Sequence, residues 1–125
     1  MWDKYEESGE TDRASLSTQE QQLFAILDLR QEVNSGGFDS YFRYWGGNTA
    51  EVALAALPRM LGESWTSLLR DAMGLLGTAY PNDPDARAAV LDALGLDDAL
   101  DALDQRLYAL EVAEDVDARL QEYST

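Results

Sequence analysis

The sequence predicts an all-α fold, a single compact domain of about six to seven short helices. Apolar residues recur at intervals of three and four, the period of an amphipathic helix, and no segment alternates with period two for long. β-branched residues are scarce, and turns containing glycine, proline and asparagine separate the apolar segments. A chain of 125 residues that are 46% hydrophobic has the size and composition of one globular domain.

The first helix is predicted to begin at a capping box. Residues 1–14 are polar and aperiodic, so we predict a flexible N-terminal tail there and a helical domain over residues 15–125. Ser17 and Glu20 have the spacing of a capping box. The helix that follows has one main face: Leu23, Ile26, Leu27, Arg30 and Val33. We expect the glycines at 36–37 to end it, because glycine adopts the positive φ of a C-cap.

The middle of the chain predicts three more helices. The first is short and aromatic, with one face made of Phe38, Tyr41, Phe42 and Trp45. Residues 48–51 resemble a cap and open a helix that ends at Gly62. Ser64 can cap the next helix, whose apolar face runs from Trp65 to Leu76. These faces are the candidates for the core.

The last third of the chain predicts three helical segments. Asp83 followed by Pro84 is a favourable helix start, and Gly95 ends that helix. A leucine stripe with four- and three-residue spacing follows: Leu96, Leu100, Leu103, Leu107 and Leu110. The face formed by Val116 and Leu120 is offset from this stripe, which predicts a bend over residues 110–114.

Charge is the most informative property of the composition. The chain has 24 acidic and 9 basic residues, a net charge of -15, which repels nucleic acid and anionic membranes and attracts basic proteins. Residues 81–125 contain twelve acids and three bases, whereas uniform decoration for salt tolerance would spread the acids more evenly. The chain has no cysteine, no signal-peptide pattern and no long apolar run. We therefore expect a soluble cytoplasmic protein that does not bind membranes.

Eight acids of this last third are the candidate partner-binding residues. They are Asp97, Asp98, Asp101, Asp104, Glu111, Glu114, Asp115 and Asp117. Helix neighbours at i+3 and i+4 lie about 5–6 Å apart, which approximates the phosphate repeat of a DNA strand. Two plainer interpretations stay open: Asp97 and Asp98 can simply stabilise a helix N-terminus, and a charge run is often only a solvated helix face.

Catalytic interpretations find little support in the sequence. The chain contains neither histidine nor cysteine, which excludes histidine- and cysteine-dependent triads and metal sites. Residues 97–101 spell D-D-x-x-D, which resembles the Mg²⁺ motif of isoprenoid synthases, but those enzymes are much larger and have a second acidic motif. We therefore predict no enzymatic activity, no catalytic residues, no metal and no cofactor.

Residues 33–42 resemble a family signature. The pattern is similar to V-N-N-G-G-F-x-Q-Y-F of the bacterial domain-of-unknown-function family of the DNA mimic protein nineteen type. The matching residues are Val33, Asn34, Gly36, Gly37, Phe38, Tyr41 and Phe42, for which we expect a structural role. Ser35, Ser40 and Tyr44 differ from the polar amides that the family pattern has. The resemblance extends from about Gln19 to Tyr123.

The resemblance implies a fold and a function. It implies an all-helical domain that can form a homodimer and that presents an acidic, DNA-like surface. Such a surface would occupy a basic DNA-binding protein, such as a transcriptional regulator or a nucleoid protein, without direct nucleic-acid binding. The alternative is a helical interaction or immunity-type module whose acidity serves only solubility or salt tolerance.

Overall fold

The computed structural model describes residues 1–7 and 10–124, and for residues 10–12 it describes the backbone alone. This part of the chain is helical and contains no strand, which confirms the predicted all-α class. Its helices are α1 (Trp2–Glu7), α2 (Thr18–Arg43), α3 (Ala50–Met60), α4 (Glu63–Gly74), α5 (Pro84–Leu94), α6 (Asp97–Ala113) and α7 (Val116–Gln121). Two 3₁₀ segments are Glu10–Ser15 and Trp45–Thr49. Within the described residues, no helix has the length and apolar character needed to cross a membrane.

Helix α2 lies at the centre of the fold. It contacts α3, α5, α6 and the Trp45–Thr49 segment, while α4 packs on α3 and α6. Its buried residues include Leu23, Ile26 and Phe38, which have no exposed surface. Surrounding one long helix with shorter ones buries its apolar side chains on more than one side, so α2 is the scaffold on which the acidic helix α6 is held.

A kink at Gly37 divides α2 into two parts. Gly37 has φ 77° and ψ 177°, and helical geometry resumes at Phe38. The positive φ and the helix end predicted for the glycine pair are therefore both confirmed at Gly37, whose non-helical backbone separates two helical stretches with no loop between them. A Cβ at Gly37 would lie 2.5 Å from Asp104 Oδ2, so the glycine also permits the close approach of α6.

Several predicted helix ends are confirmed. The Ser17 hydroxyl accepts the Glu20 amide proton at 3.1 Å, and Asp83 accepts that of Ala86 at 3.0 Å. Gly95 adopts the left-handed conformation with φ 61° at the end of α5. The bend after α6 is also confirmed, because α6 ends at Ala113 before the short helix α7.

Two local predictions are wrong. Ser64 does not cap α4, because the helix begins earlier, at Glu63, and Gly62, with φ 96°, occupies the N-cap. Trp45 does not belong to the aromatic helix; α2 ends at Arg43 and Trp45 begins a 3₁₀ segment. The positive φ of Gly62 permits the first turn, whereas Gly47 permits the second by close approach, since a Cβ there would lie 2.5 Å from the Tyr41 carbonyl oxygen.

The segment before residue 15 contains helical structure that the sequence pattern did not predict. Trp2 and Tyr5 in α1 stack edge to face at 5.5 Å, and Tyr5 meets Phe24 of α2 in the same way. Helix α1 nonetheless has no fully buried residue. The segment therefore packs on the domain surface, and its flexibility stays a prediction.

Arg87 joins two distant parts of the chain in the interior. It is fully buried, and its guanidinium donates to the carbonyl oxygens of Phe42 at 2.6 Å, Pro81 at 3.0 Å and Tyr44 at 3.1 Å. It also donates to Asn48 Oδ1 at 2.7 Å. These acceptors are neutral, so Arg87 stabilises the end of α2 against the start of α5 through hydrogen bonds that satisfy a buried cation.

Candidate partner-binding surface

One stripe of α6 side chains faces α2 and then runs out into solvent. The stripe has helical spacing and consists of Asp97, Asp101, Asp104, Tyr108 and Glu111. From its C-terminal end, Glu111 contacts Arg30, Tyr108 donates to the Val33 carbonyl at 3.2 Å, and Asp104 accepts the Phe38 amide proton at 2.8 Å. Residue numbers fall on α6 as they rise on α2, so the two helices are antiparallel. The hydrogen bonds between them extend as far as Asp104.

Asp97, Asp98 and Asp101 lie beyond this contact at the start of α6. All three are exposed, whereas the neighbouring Leu100 and Leu103 are buried. Among residues 1–7 and 10–124, no cation forms an ion pair with any of the three, and no group of three or more acids is arranged to hold a metal ion. Their charges therefore face solvent on a helix whose other side is fixed by packing.

Asp104 has a structural contact as well as a charge. Besides accepting the Phe38 amide proton, its carboxylate lies against Gly37. Burial raises the pKa of Asp104, the Phe38 amide opposes the rise, and the charges of Asp101 and Asp39 raise it further. Asp104 thus anchors α6 at the kink of α2 and connects the exposed acids of α6 to Asp39 on α2.

Two acids that the sequence analysis did not select extend this surface. Arg43 bonds to Asp39 at 2.9 Å and to Asp92 of α5 at 2.9 Å. The i,i+4 spacing of Asp39 and Arg43 was a visible signal, but the contact with Asp92 depends on tertiary structure. We call the combined set the α6 acidic surface: Asp97, Asp98, Asp101, Asp104, Asp39 and Asp92. In the described part of the chain, Arg43 is the cation that forms ion pairs with members of this surface, Asp39 and Asp92.

Glu111 and Asp117 lie elsewhere and share a partner in the nearly buried Arg30. Glu111 contacts Arg30 Nη2 at 2.8 Å and Asp117 contacts Nη1 at 2.7 Å. Asn34 and Trp2 donate to these two carboxylates in turn, at 2.8 and 3.0 Å. Hydrogen bonding to Arg30 lowers the pKa of Asp117 against the opposing effect of its partial burial. These two predicted acids are therefore the anionic partners of Arg30 in an ion-pair network that holds α6 and α7 on α2.

The remaining two predicted acids have local contacts. Glu114 forms an ion pair with Arg119 at 2.7 Å. Asp115 caps α7 by accepting the Ala118 amide proton at 3.0 Å. Of the eight selected acids, the structure thus brings Asp97, Asp98, Asp101 and Asp104 together on α6. The other four have contacts away from this group: Glu111 and Asp117 share Arg30, Glu114 pairs with Arg119, and Asp115 caps α7. A role in partner binding stays a prediction for all eight.

The apolar residues of the signature are buried around the kink, whereas Asn34 and Gly36 are exposed. Val33, Phe38, Tyr41 and Phe42 are fully buried, and Phe38 and Phe42 have ring centroids 5.8 Å apart. Asn34 uses its amide to join the Arg30 carbonyl and Glu111. The Asn34 bond to Glu111 joins α2 to α6, and the structural role of the signature as a whole stays a prediction.

Comparison with known families identifies the chain's relatives. A family model described as DMP19-like protein matches residues 14–125. The chain belongs to the DMP19-like protein family. No curated protein and no solved structure matches it. In this DMP19-like protein the match includes the whole α6 acidic surface and the signature at residues 33–42, and it excludes α1.

Proposed function

We propose that this DMP19-like protein binds a basic DNA-binding protein and occupies that protein's DNA-binding surface. The observation that carries the proposal is the group of exposed carboxylates at Asp97, Asp98 and Asp101, none of which has a cation partner within the described residues. Acids of a chain that needs charge only for solubility can be paired or scattered. Here they are clustered and unpaired on one rigid helix.

The arrangement suits recognition of a surface that normally binds phosphates. Carboxylates three and four residues apart on a helix are separated by about 5–6 Å, within the range of phosphate spacing along a DNA strand. Asp104, Asp39 and Asp92 continue the negative charge across α2 and α5. Burial of Leu100 and Leu103 holds the backbone of α6 in place, so little ordering entropy is lost when a partner binds.

The same features favour a binding protein over an enzyme. The net charge of -15 opposes direct contact with nucleic acid, and the absence of histidine and cysteine removes the commonest general bases and nucleophiles. We therefore include in the proposal that the protein is non-catalytic, needs no cofactor and acts in the cytoplasm on a transcriptional regulator or nucleoid protein.

Affinity capture from a lysate of the source organism tests the proposal. The bait is compared with an α6 triple variant in which Asp97, Asp98 and Asp101 are changed to asparagine. We expect wild-type protein to retain a DNA-binding protein that duplex DNA displaces, and the α6 triple variant to lose it. A partner held equally by both baits in the presence of DNA would refute the proposal.

A matched control removes the same charge elsewhere. The control triple variant changes Glu6, Glu51 and Glu122 to glutamine; these acids are also exposed but lie on α1, on α3 and after α7. We expect it to retain the partner, because it leaves the α6 acidic surface intact. Equal loss with both triple variants would mean that net charge alone controls binding.

Exposed apolar side chains favour a second candidate function, a helical interaction module recognised through apolar contacts. Val112 is 86% exposed, Tyr44 61% and Leu94 58%. Exposed aliphatic and aromatic residues supply anchors in many interfaces. This candidate predicts that Val112→Ser and Tyr44→Ser lose the captured partner whereas the α6 triple variant keeps it.

A further inference from the structure

A carboxylate and an arginine meet below the surface where the N-terminal segment crosses α2. Asp28 is 2% exposed and accepts two hydrogen bonds from the Arg13 guanidinium, at 2.8 and 2.9 Å. Its remaining partners are the hydroxyls of Tyr5 at 2.6 Å and Thr49 at 2.8 Å. The paired, planar geometry is the one in which a guanidinium binds a carboxylate most specifically.

Three aromatic rings surround the same guanidinium. The Arg13 Cζ atom lies 5.0 Å from the ring centroid of Trp45 and 5.5 Å from those of Tyr5 and Phe24. A cation within about 6 Å of an aromatic face is attracted by the ring quadrupole, and aromatic cages with an acidic partner are a recurring way to bind cationic side chains. We call Asp28, Thr49, Phe24, Trp45 and Tyr5 the Asp28 cage.

Arg13, which occupies the cage, comes from a different part of the chain than most of the cage residues. Asp28, Thr49, Phe24 and Trp45 lie in the stretch that matches the family, whereas Arg13 and Tyr5 precede it. Arg13 thus fills a site that the domain builds from its own core helix α2 and from the turn after it.

The described contacts of the segment that brings Arg13 to the cage lie at the domain surface. Helix α1 has no buried residue; its contacts outside the cage include a hydrogen bond from Trp2 to Asp117, an ion pair between Lys4 and Glu20, the Arg30 guanidinium over the Trp2 ring, and partial packing of Met1 and Trp2 on the core. Contacts between partly exposed groups such as these are individually worth little. Lifting residues 1–13 would therefore leave the main core packed and would uncover a carboxylate between two rings.

We propose that the Asp28 cage is an arginine-binding site that Arg13 occupies within the chain and that an arginine side chain of a partner protein takes when residues 1–13 lift. The incoming guanidinium regains the paired hydrogen bonds to Asp28 and the contacts with the rings of Phe24 and Trp45, while Tyr5 leaves with α1. Lysine cannot make the same paired hydrogen bonds, so the site selects arginine. The basic character of the partner rests on the proposed function, but the cage lies apart from the α6 acidic surface.

The first test empties the cage in the full-length chain. Arg13→Ala is titrated with N-acetyl-arginine methylamide, and with the lysine analogue, while NMR shifts or the melting temperature are followed. We expect saturable binding of the arginine compound about tenfold or more tighter than that of the lysine compound, as expected for one added charge-assisted hydrogen bond. Absence of saturable arginine binding, or equal binding of both compounds, would overturn the proposal.

Two controls locate the binding. Asp28→Asn added to Arg13→Ala should weaken arginine binding about tenfold or more, because the acceptor charge is lost. Wild-type protein should also bind more weakly, since its own Arg13 competes at high effective concentration. If Arg13→Ala does not fold even with the arginine compound present, Arg13→Lys, which keeps the charge, is titrated instead. Tighter binding of the arginine compound would again support the proposal, and absent or equal binding would overturn it.

The second test asks whether a ligand displaces the segment in wild-type protein. Hydrogen exchange of the amides at residues 2–7 is measured with an arginine-glycine peptide and with a lysine-glycine peptide of equal charge. We expect only the arginine peptide to accelerate exchange there, and the α6 triple variant to respond in the same way. Equal effects of both peptides would overturn the arginine-site proposal and would leave the proposed role of the α6 acidic surface unaffected. The capture result with the α6 triple variant, in contrast, tests only the proposed function.

Discussion

Replacing Arg87 by methionine removes the buried guanidinium at little change in side-chain length. Four hydrogen bonds disappear, at 2.6 to 3.1 Å, and three carbonyl oxygens and the Asn48 amide lose their donor. Removing one side of a buried charged contact typically costs about 3–5 kcal/mol, and each orphaned acceptor adds to the loss. We expect Arg87→Met to lower the free energy of unfolding by about 4 kcal/mol, a large part of the total for one domain.

Urea unfolding followed by circular dichroism measures this loss. With an m value of about 2 kcal/mol/M, a loss of about 4 kcal/mol lowers the midpoint by roughly 2 M. Arg70→Met is the matched control, because Arg70 is exposed and, among the residues that the structure describes, pairs with Glu63 alone, at 3.5 Å. We expect that control to change stability by about 0.5 kcal/mol or less.

The comparison can refute the reasoning about the buried cation. If Arg87→Met is within about 1 kcal/mol of Arg70→Met, the hydrogen bonds of Arg87 are replaced by water or by apolar packing at little cost. Arg87→Lys provides a further check, because it keeps the charge but reaches fewer of the acceptors, so we expect a loss between those of the two methionine variants.

Two further predictions concern the contact between α6 and the kink of α2. Asp104→Asn keeps an acceptor for the Phe38 amide but removes the charge. Because the folded-state pKa of Asp104 is raised, wild-type Asp104 stabilises the fold at low pH, and this contribution is lost as pH rises through that pKa. Urea unfolding should therefore show Asp104→Asn gaining stability relative to wild type between pH of about 4 and about 7, and a constant difference would contradict the raised pKa. Gly37→Ala should cost roughly 1–3 kcal/mol, since φ is 77° and the new Cβ would meet Asp104. Gly74→Ala, at a position with open space around it, is its control and should be nearly neutral or stabilising.

Local patterns predicted much of the fold. The capping box at Ser17, the Asp83 cap and the Gly95 C-cap depend on residues three or four apart, and the structure confirms all three. The exposure of Asp97 and Asp101 also follows from helical spacing against the buried leucines. Interactions within one or two helical turns are set by adjacent residues, which is why the sequence alone was sufficient there.

Long-range charge pairing could not be predicted in the same way. Arg30 meets Glu111 and Asp117 from 81 and 87 residues away, and Arg87 is buried against backbone carbonyls that any sequence would supply. Which acids keep their charge free therefore depends on tertiary structure. The N-terminal segment did contain one signal, the aromatic pair Trp2 and Tyr5 at helical spacing in an otherwise polar stretch.

The salt dependence of partner binding tests the role of the α6 acidic surface most directly. The affinity of the captured partner is measured at increasing salt for wild-type protein, the α6 triple variant and the control triple variant. If the partner's cationic DNA-binding surface meets Asp97, Asp98 and Asp101, affinity falls steeply with salt for wild type and the control, and the dependence is shallower for the α6 triple variant. The same slope for all three proteins would contradict the proposal that these carboxylates contact the partner.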